Sequence, residues 1–332
     1  MRRILSGLLG LALFLPFLVS ASAQSEDMAV RSRPITEFRI GRGEPSFGTL
    51  TFVGGLELVS RHPLFGSFSA FRFTEPGTRF AGVTDNGYWY FGRIERDAQK
   101  RPTGMTDFTM EPMTGPDGEI TQDKRLVDAE SLAIADGIAT VGFERQHRIS
   151  QYRLETGTMG KQIRNLDFLI PKTELRINRG FETVMAAPQS GPFAGAIIAL
   201  SEMSLNKRGD IFASVLSGPR KGIFFVHRSN NFDITDGAFL PDGDILILER
   251  RFAYTSGIAM RLRRLSAASI KPGATVDGEV LLEADMGYQI DNMEGMDIWQ
   301  AADGTTRVSL ISDDNQSILQ RNIYLEFIYK AE

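Results

Sequence analysis

Apolar positions in this chain fall in short runs rather than in a helical rhythm. The runs Thr49–Leu58, Arg79–Asp85, Leu132–Phe143, Ala194–Leu200, Gly222–His227, Asp244–Glu249, Ile258–Leu265 and Arg307–Ser312 alternate or are continuously apolar. Gly, Pro, Asn or Asp bounds each of them. A period of two closed by turn-forming residues predicts an all-β chain. Asp-Gly pairs at Asp136-Gly137, Asp242-Gly243 and Asp303-Gly304 stand between runs. They predict hairpins, because these residues tolerate the positive φ of tight turns.

A repeat overlies the strands. An acid followed by a small residue and an apolar run recurs in Asp128-Ala129-Glu130-Ser131-Leu132, Gly180-Phe181-Glu182-Thr183-Val184 and Asn292-Met293-Glu294-Gly295-Met296. Weaker copies are Gly54-Gly55-Leu56-Glu57-Leu58 and Ile234-Thr235-Asp236-Gly237-Ala238. A second run answers each acid and ends on another: Glu57 with Asp85, Glu130 with Glu144, Glu182 with Glu202, Asp236 with Glu249, and Glu294 with Asp313. Antiparallel pairing brings the two ends of such a hairpin together. The leading acids at 57, 130, 182, 236 and 294 are spaced by 73, 52, 54 and 58 residues, intervals that approximate a four-stranded propeller blade. The long first interval accommodates a polar insert around Asp97–Arg125. We therefore expect a single β-propeller of five blades, with a sixth possible near Gly209–His227. The N-terminal run Ile35–Ile40 is expected to supply the strand that closes the last blade and removes its open edge. A β-sandwich would give similar strands but not acids recurring at blade spacing.

Composition narrows the chemistry. Of 332 residues 42% are apolar and 23% charged, ordinary globular values. The formal charge of −4 offers no basic field for nucleic acid or for an anionic membrane. No cysteine is present, which excludes disulfides, thiolate metal sites and a cysteine nucleophile. His62, His147 and His227 are the only histidines, few for a histidine metal site or a serine triad. At the N-terminus, Arg2-Arg3, the apolar stretch Leu8–Val19 and Ala21-Ser22-Ala23 read as a signal peptide cleaved after Ala23. Residues 24–34 then form an N-terminal extension and residues 35–332 the propeller. We expect a periplasmic or secreted protein with no stable membrane span after cleavage.

In a propeller the first strand of each blade lines the central channel. Ten carboxylates are thus expected at one mouth: Glu57, Asp85, Glu130, Glu144, Glu182, Glu202, Asp236, Glu249, Glu294 and Asp313. Like charges this close need a cation, an arginine or a proton. Arg145, Arg148, Arg179, Arg250 and Arg321 are the candidate basic partners, and candidate contacts for an anionic substrate. Ion pairs and turn hydrogen bonds tying blades together account for much of the pattern. A mixed pocket holding a cation and an anionic group is the functional reading. Its donors would all be oxygen, which suits Ca²⁺ or Mg²⁺ better than zinc, and Ca²⁺ is the cofactor expected.

At these residues the chain resembles a known family. Asn292–Met296, Ser309–Asn315 and Leu319-Gln320-Arg321 resemble the C-terminal signature of the bacterial phytase-like propellers, the esterase-like activity of phytase family. Asp128–Leu132 and Gly180–Thr183 are similar to its internal blades, and Thr84-Asp85-Asn86-Gly87 to its first. The resemblance implies an exported propeller with phosphoesterase or esterase chemistry on a small anionic molecule. It carries Glu130, Glu182, Glu294, Asp85 and Asp313 as site residues without assigned catalytic roles. No nucleophile–base set stands out, so the alternative is a non-catalytic propeller that binds an envelope component or a partner protein.

Overall fold

The computed structural model describes residues 25–115, 117, 119–121 and 123–331; the signal segment read at residues 1–23 lies outside them. The alternating runs become strands of five sheets set round one axis, antiparallel except where Thr275–Val276 lies parallel beside Gly222–Val226. From the axis outward, blade one holds Phe68–Phe73, Arg79–Thr84, Tyr88–Arg96 and Pro102–Pro112. Blade two holds Ala129–Ala135, Ile138–Phe143, Arg148–Glu155 and Thr158–Leu166. Blade three holds Phe181–Ala186, Ile197–Leu205, Ile211–Val215 and Gly222–Val226. Blade four holds Asp233–Phe239, Ile245–Ala253, Gly257–Leu265 and Glu279–Ala284. Blade five begins with Asn292–Gln300, Thr306–Asp313 and Asn322–Tyr329. Each innermost strand packs against those of the two neighbouring blades, so the ring is closed.

The closing strand is Leu50–Val59, which pairs along its length with Asn322–Tyr329 in blade five. This corrects the assignment of closure to Ile35–Ile40. Leu50–Val59 offers an alternating face whose Leu50, Phe52, Leu56 and Leu58 are buried. Residues 36–40, in contrast, form an irregular loop that tucks Phe38 among Phe47, Phe52, Phe327 and Tyr288. The stretch read as an N-terminal extension contributes edges: Glu26–Met28 pairs with Pro102–Pro112, and Arg31–Ile35 with Leu50–Val59. Pro102–Pro112 is itself the outer strand of blade one, so the first part of the supposed insert is blade.

Packing between blades supplies the core. Phe65, Phe68, Phe71, Phe80, Tyr90, Phe108 and Tyr324 interlock between blades five and one, each fully buried ring contributing roughly 1.5–3 kcal/mol. Aliphatic side chains do the same between blades three and four, where Ile198, Leu200, Ile211, Ile245 and Ile247 are fully buried. Asp136 and Gly137 both take positive φ, 51° and 71°, which makes that hairpin the tight two-residue turn expected.

Candidate functional site

Every innermost strand breaks register with its neighbour once, near its start. The skipped residues are Ser69, Glu130, Glu182, Thr235 and Glu294 in blades one to five. A β-bulge of this kind turns the extra side chain out of the ladder, here toward the axis. Beside it, on the second strand or directly after it, stand Asp85, Glu144, Glu202, Arg250 and Asp313. These five are equivalent, paired with or bonded to Ser67, Asp128, Gly180, Asp233 and Asn292 respectively. Counted on the bulge, the blades recur at 69, 130, 182, 235 and 294. The long first interval disappears, because Glu57 belongs to blade five.

Nine of these ten ring positions, all but Thr235, line one cavity of about 190 Å³, joined by Asn178, Arg179 and Asn315. Its charge is seven carboxylates against two arginines. Glu144, Glu182 and Glu202 hold carboxylate oxygens within 4.8 Å of one another, as do Asp128, Glu130 and Glu144. Burial pushes the Glu130 and Glu182 carboxyls well above the usual carboxylate range, and the acids around each add to the push. Burial raises Glu202 to about 7, with Arg250 and Arg179 opposing. Glu144, Glu294 and Asp313 are raised in the same way, Asp313 strongly.

The arginines serve only part of the ring. Arg250 lies 3.2 Å from Glu294 and 3.5 Å from Glu202, and Glu294 is the largest contributor to its raised pKa. Arg179 bridges Glu202 and Asp233. Among the described residues no basic side chain forms an ion pair with Glu130, Glu144 or Glu182. Glu144 accepts a hydrogen bond from the Gly180 backbone N–H, 2.7 Å, and its carboxyl meets that of Glu182. Asp85 is bound on one oxygen by Lys124, 2.6 Å, while its other oxygen is buried without a hydrogen-bond donor.

Further from the mouth the axis is shut. Arg72 of blade one reaches past its neighbours to Asp236 of blade four in a two-pronged pair, both distances 2.7 Å. It also donates to the carbonyls of Phe71, Gly237 and Met296. Asp297, raised by burial to about 6, accepts from the backbone N–H groups of Phe73 and Ile298. The cavity is thus a cup with a floor.

Of the ten acids expected at the mouth, Asp85, Glu130, Glu144, Glu182, Glu202, Glu294 and Asp313 converge. Three do not. Glu57 sits on the closing strand and pairs with Arg33. Asp236 belongs to the floor. Glu249 is fully buried inside blade four, between Arg261 and Arg263. Of the five arginines, Arg179 and Arg250 line the cup. Arg145 turns to Asp128. Arg148 is buried over the Phe143 ring and donates to backbone carbonyls. Arg321 faces Asp291 and Gln289 beside a different groove. Ser69 and Asn178 escaped the sequence reading, and no acid marks them; counting back from Asp85 along its hairpin is the signal that finds Ser69, while Asn315 closes the Ser309–Asn315 stretch of the family signature.

The family model described as phytase-like, esterase-like activity of phytase, matches residues 63–316. No curated protein matches the chain. Among solved structures, the chain is similar to an endo-arabinase from Bacteroides thetaiotaomicron at 11% identity and a TM-score of 0.50, over 80% of this chain and 95% of that one. A PQQ-bound aldose sugar dehydrogenase from Streptomyces coelicolor matches at 12% and 0.44, over 85% and 99%. A glutaminyl cyclase from Myxococcus xanthus matches at 10% and 0.43, over 85% and 97%. At 11% identity the likeness to the endo-arabinase concerns the fold alone.

Proposed function

The chain belongs to the phytase-like family, described as esterase-like activity of phytase, and from that premise we propose an exported hydrolase. Its substrate is a phosphorylated or ester-bearing small anionic molecule, and its cofactor a hard divalent cation, Ca²⁺ by preference. One observation carries the proposal: Glu130, Glu144 and Glu182 crowd the axial cup, and among the described residues none of them has a basic side chain in ion-pair contact. The donor set fits such a cation, since the cup is lined by oxygen donors without His or Cys, and an oxygen of Asp85 lies buried and unpaired. Oxygen-only sets favour Ca²⁺ or Mg²⁺.

Glu130, Glu144 and Glu182, with Asp85 beside them, are the residues that would hold the ion. When bound it supplies Lewis-acid polarisation of a phosphoryl or carbonyl oxygen. Arg179 and Arg250, which line the same cup, orient the anionic group of the substrate. Glu202 touches both sets, its oxygen within 4.8 Å of those of Glu144 and Glu182 and 3.5 Å from each arginine. With its carboxyl raised to about 7, it is half protonated near neutral pH and is the group best poised to take or give a proton at its carboxylate oxygen. The floor of Arg72 and Asp236 keeps water from the far end of the axis.

The test is a screen of phosphate monoesters and carboxylic esters in Ca²⁺ and in EDTA, with wild type, Glu130→Gln and Glu182→Gln. Calcium-dependent turnover that both variants lose is the expected result. Absence of turnover in every condition, with no calcium-dependent stabilisation, overturns the proposal. A second reading, a non-catalytic binder of an envelope ligand, draws on the absence of a His or Cys from the lining. Binding without turnover, unaffected by both substitutions, would favour it.

A further inference from the structure

Large apolar side chains are exposed on this molecule in an uneven way. The six most exposed among the described residues are Ile177 at 71%, Phe252 at 60%, Tyr254 at 98%, Met286 at 58%, Ile318 at 101% and Leu319 at 87%. The chain path places all six at the mouth of the cup. Ile177 precedes the lining residues Asn178 and Arg179. Phe252 and Tyr254 occupy the hairpin that follows Arg250, and Ile318 and Leu319 the one that follows Asp313 and Asn315. Met286 lies on the segment leading into the innermost strand of blade five. At the opposite end the hairpin tips are Pro76-Gly77, Asp136-Gly137, Thr156-Gly157, Asp242-Gly243 and Asp303-Gly304, with no large apolar group.

Every tip but that of Met286 also has an arginine close in sequence. Arg176 precedes Ile177, Arg251 precedes Phe252, and Arg321 follows Leu319. Arg176 is exposed, and Arg251 and Arg321 are partly so. An apolar tip beside a cation suits an interface in which side chains enter an acyl region while guanidinium groups stay with anionic headgroups. Three blades carry such tips, too many separate places for one small amphiphile. The formal charge of −4 does not display this arrangement, since seven of the acids line the cup; Glu174 and Asp285 are exposed acids beside the tips.

We propose that the mouth face docks on an anionic lipid surface through Ile177, Phe252, Tyr254, Ile318 and Leu319, with Arg176, Arg251 and Arg321 contacting headgroup phosphates. The proposal stands apart from the hydrolase reading. Its test is co-sedimentation of the purified protein with phosphatidylcholine vesicles, with and without phosphatidylglycerol. EDTA is present throughout, so that no cation in the cup bridges to lipid. The expected result is binding to the anionic vesicles only, weakened about tenfold by Phe252→Ser/Tyr254→Ser and by Ile318→Ser/Leu319→Ser. Unchanged circular dichroism and melting would show both variants folded. Wild type left in the supernatant, equal binding to neutral vesicles, or folded variants that bind as well as wild type would each overturn the proposal.

Discussion

Raising the pH in the absence of cation should destabilise this protein, and the size of the loss follows from the cup. Glu202 is largely buried and titrates at about 7 rather than 4.5, with Arg179, Arg250, Glu294 and Asp233 as its charged surroundings. Below about pH 4.5 both folded and unfolded chains carry this proton, and its contribution is intact. Between 4.5 and 7 the unfolded chain releases the proton first, so folding stability falls as pH rises. At 1.36 kcal/mol per pKa unit, Glu202 alone removes about 2–3 kcal/mol between pH 5 and pH 8. Glu130 and Glu182, whose carboxyls burial also raises well above the usual carboxylate range, add to the loss. For a chain of this size, with about 2.1 cal/mol/K of unfolding entropy per residue, 2–3 kcal/mol lowers the melting temperature by about 4 °C. Saturating Ca²⁺, at about a hundred times its dissociation constant, returns about 2.7 kcal/mol, mainly at pH 8. Scanning calorimetry at both pH values, in EDTA and in Ca²⁺, reads all four numbers. Glu182→Gln should melt higher than wild type in EDTA at pH 8 and lose the calcium response. A melting temperature in EDTA that is level, or rises, from pH 5 to pH 8 would refute the reasoning.

Three further outcomes follow from particular contacts. Arg250→Gln leaves Glu202 and Glu294 without their shared cation and should cost about 3–5 kcal/mol in EDTA at pH 8, with an enlarged calcium rescue in the same melting assay. Arg72→Met opens the floor and strands Asp236 and Asp297; denaturation should show a loss of about 3–5 kcal/mol at pH 8 that shrinks at pH 5, where Asp297, titrating near 6, has taken up its proton. Gly55→Ala places a methyl 2.6 Å from the Tyr324 carbonyl on the closing strand, so urea unfolding should report about 1–3 kcal/mol of destabilisation.

The five-bladed plan was legible because bulge, hairpin and apolar run recur at blade spacing, and in blades two, three and five an acid marks the bulge. Blade four shows why the rest was not. Matching acid to acid selects Asp236 and Glu249, but the bulge falls on Thr235 and the ring position on Arg250, one residue away in each strand. Since side chains alternate between faces, a slip of one residue exchanges axis for interior. Asp236 therefore meets Arg72, and Glu249 meets Arg261 and Arg263. Blade one failed differently: its bulge is Ser69, and Glu57 supplied an acid of the right appearance on a strand of another blade. Hydrogen-bond register carries the site, and register is a relation between strands that composition alone does not encode.

The imbalance of the cup also fixes how a cation must enter it. Seven carboxylates and two arginines line the cavity, an excess of five negative charges if every acid is ionised. The raised carboxyls of Glu130, Glu182, Glu202 and Asp313 mean that protons already offset part of that excess at neutral pH. A divalent ion competes with those protons for the same oxygens, because ligation requires the deprotonated form. Binding should therefore release about one to two protons per ion at pH 7 and fewer at pH 9. Isothermal titration in buffers of different ionisation enthalpy measures this directly, as a slope of apparent enthalpy against buffer enthalpy. Tight binding with no slope at pH 7 would mean that the carboxylates around the ion were ionised beforehand, and the charge balance drawn from the cup would be wrong.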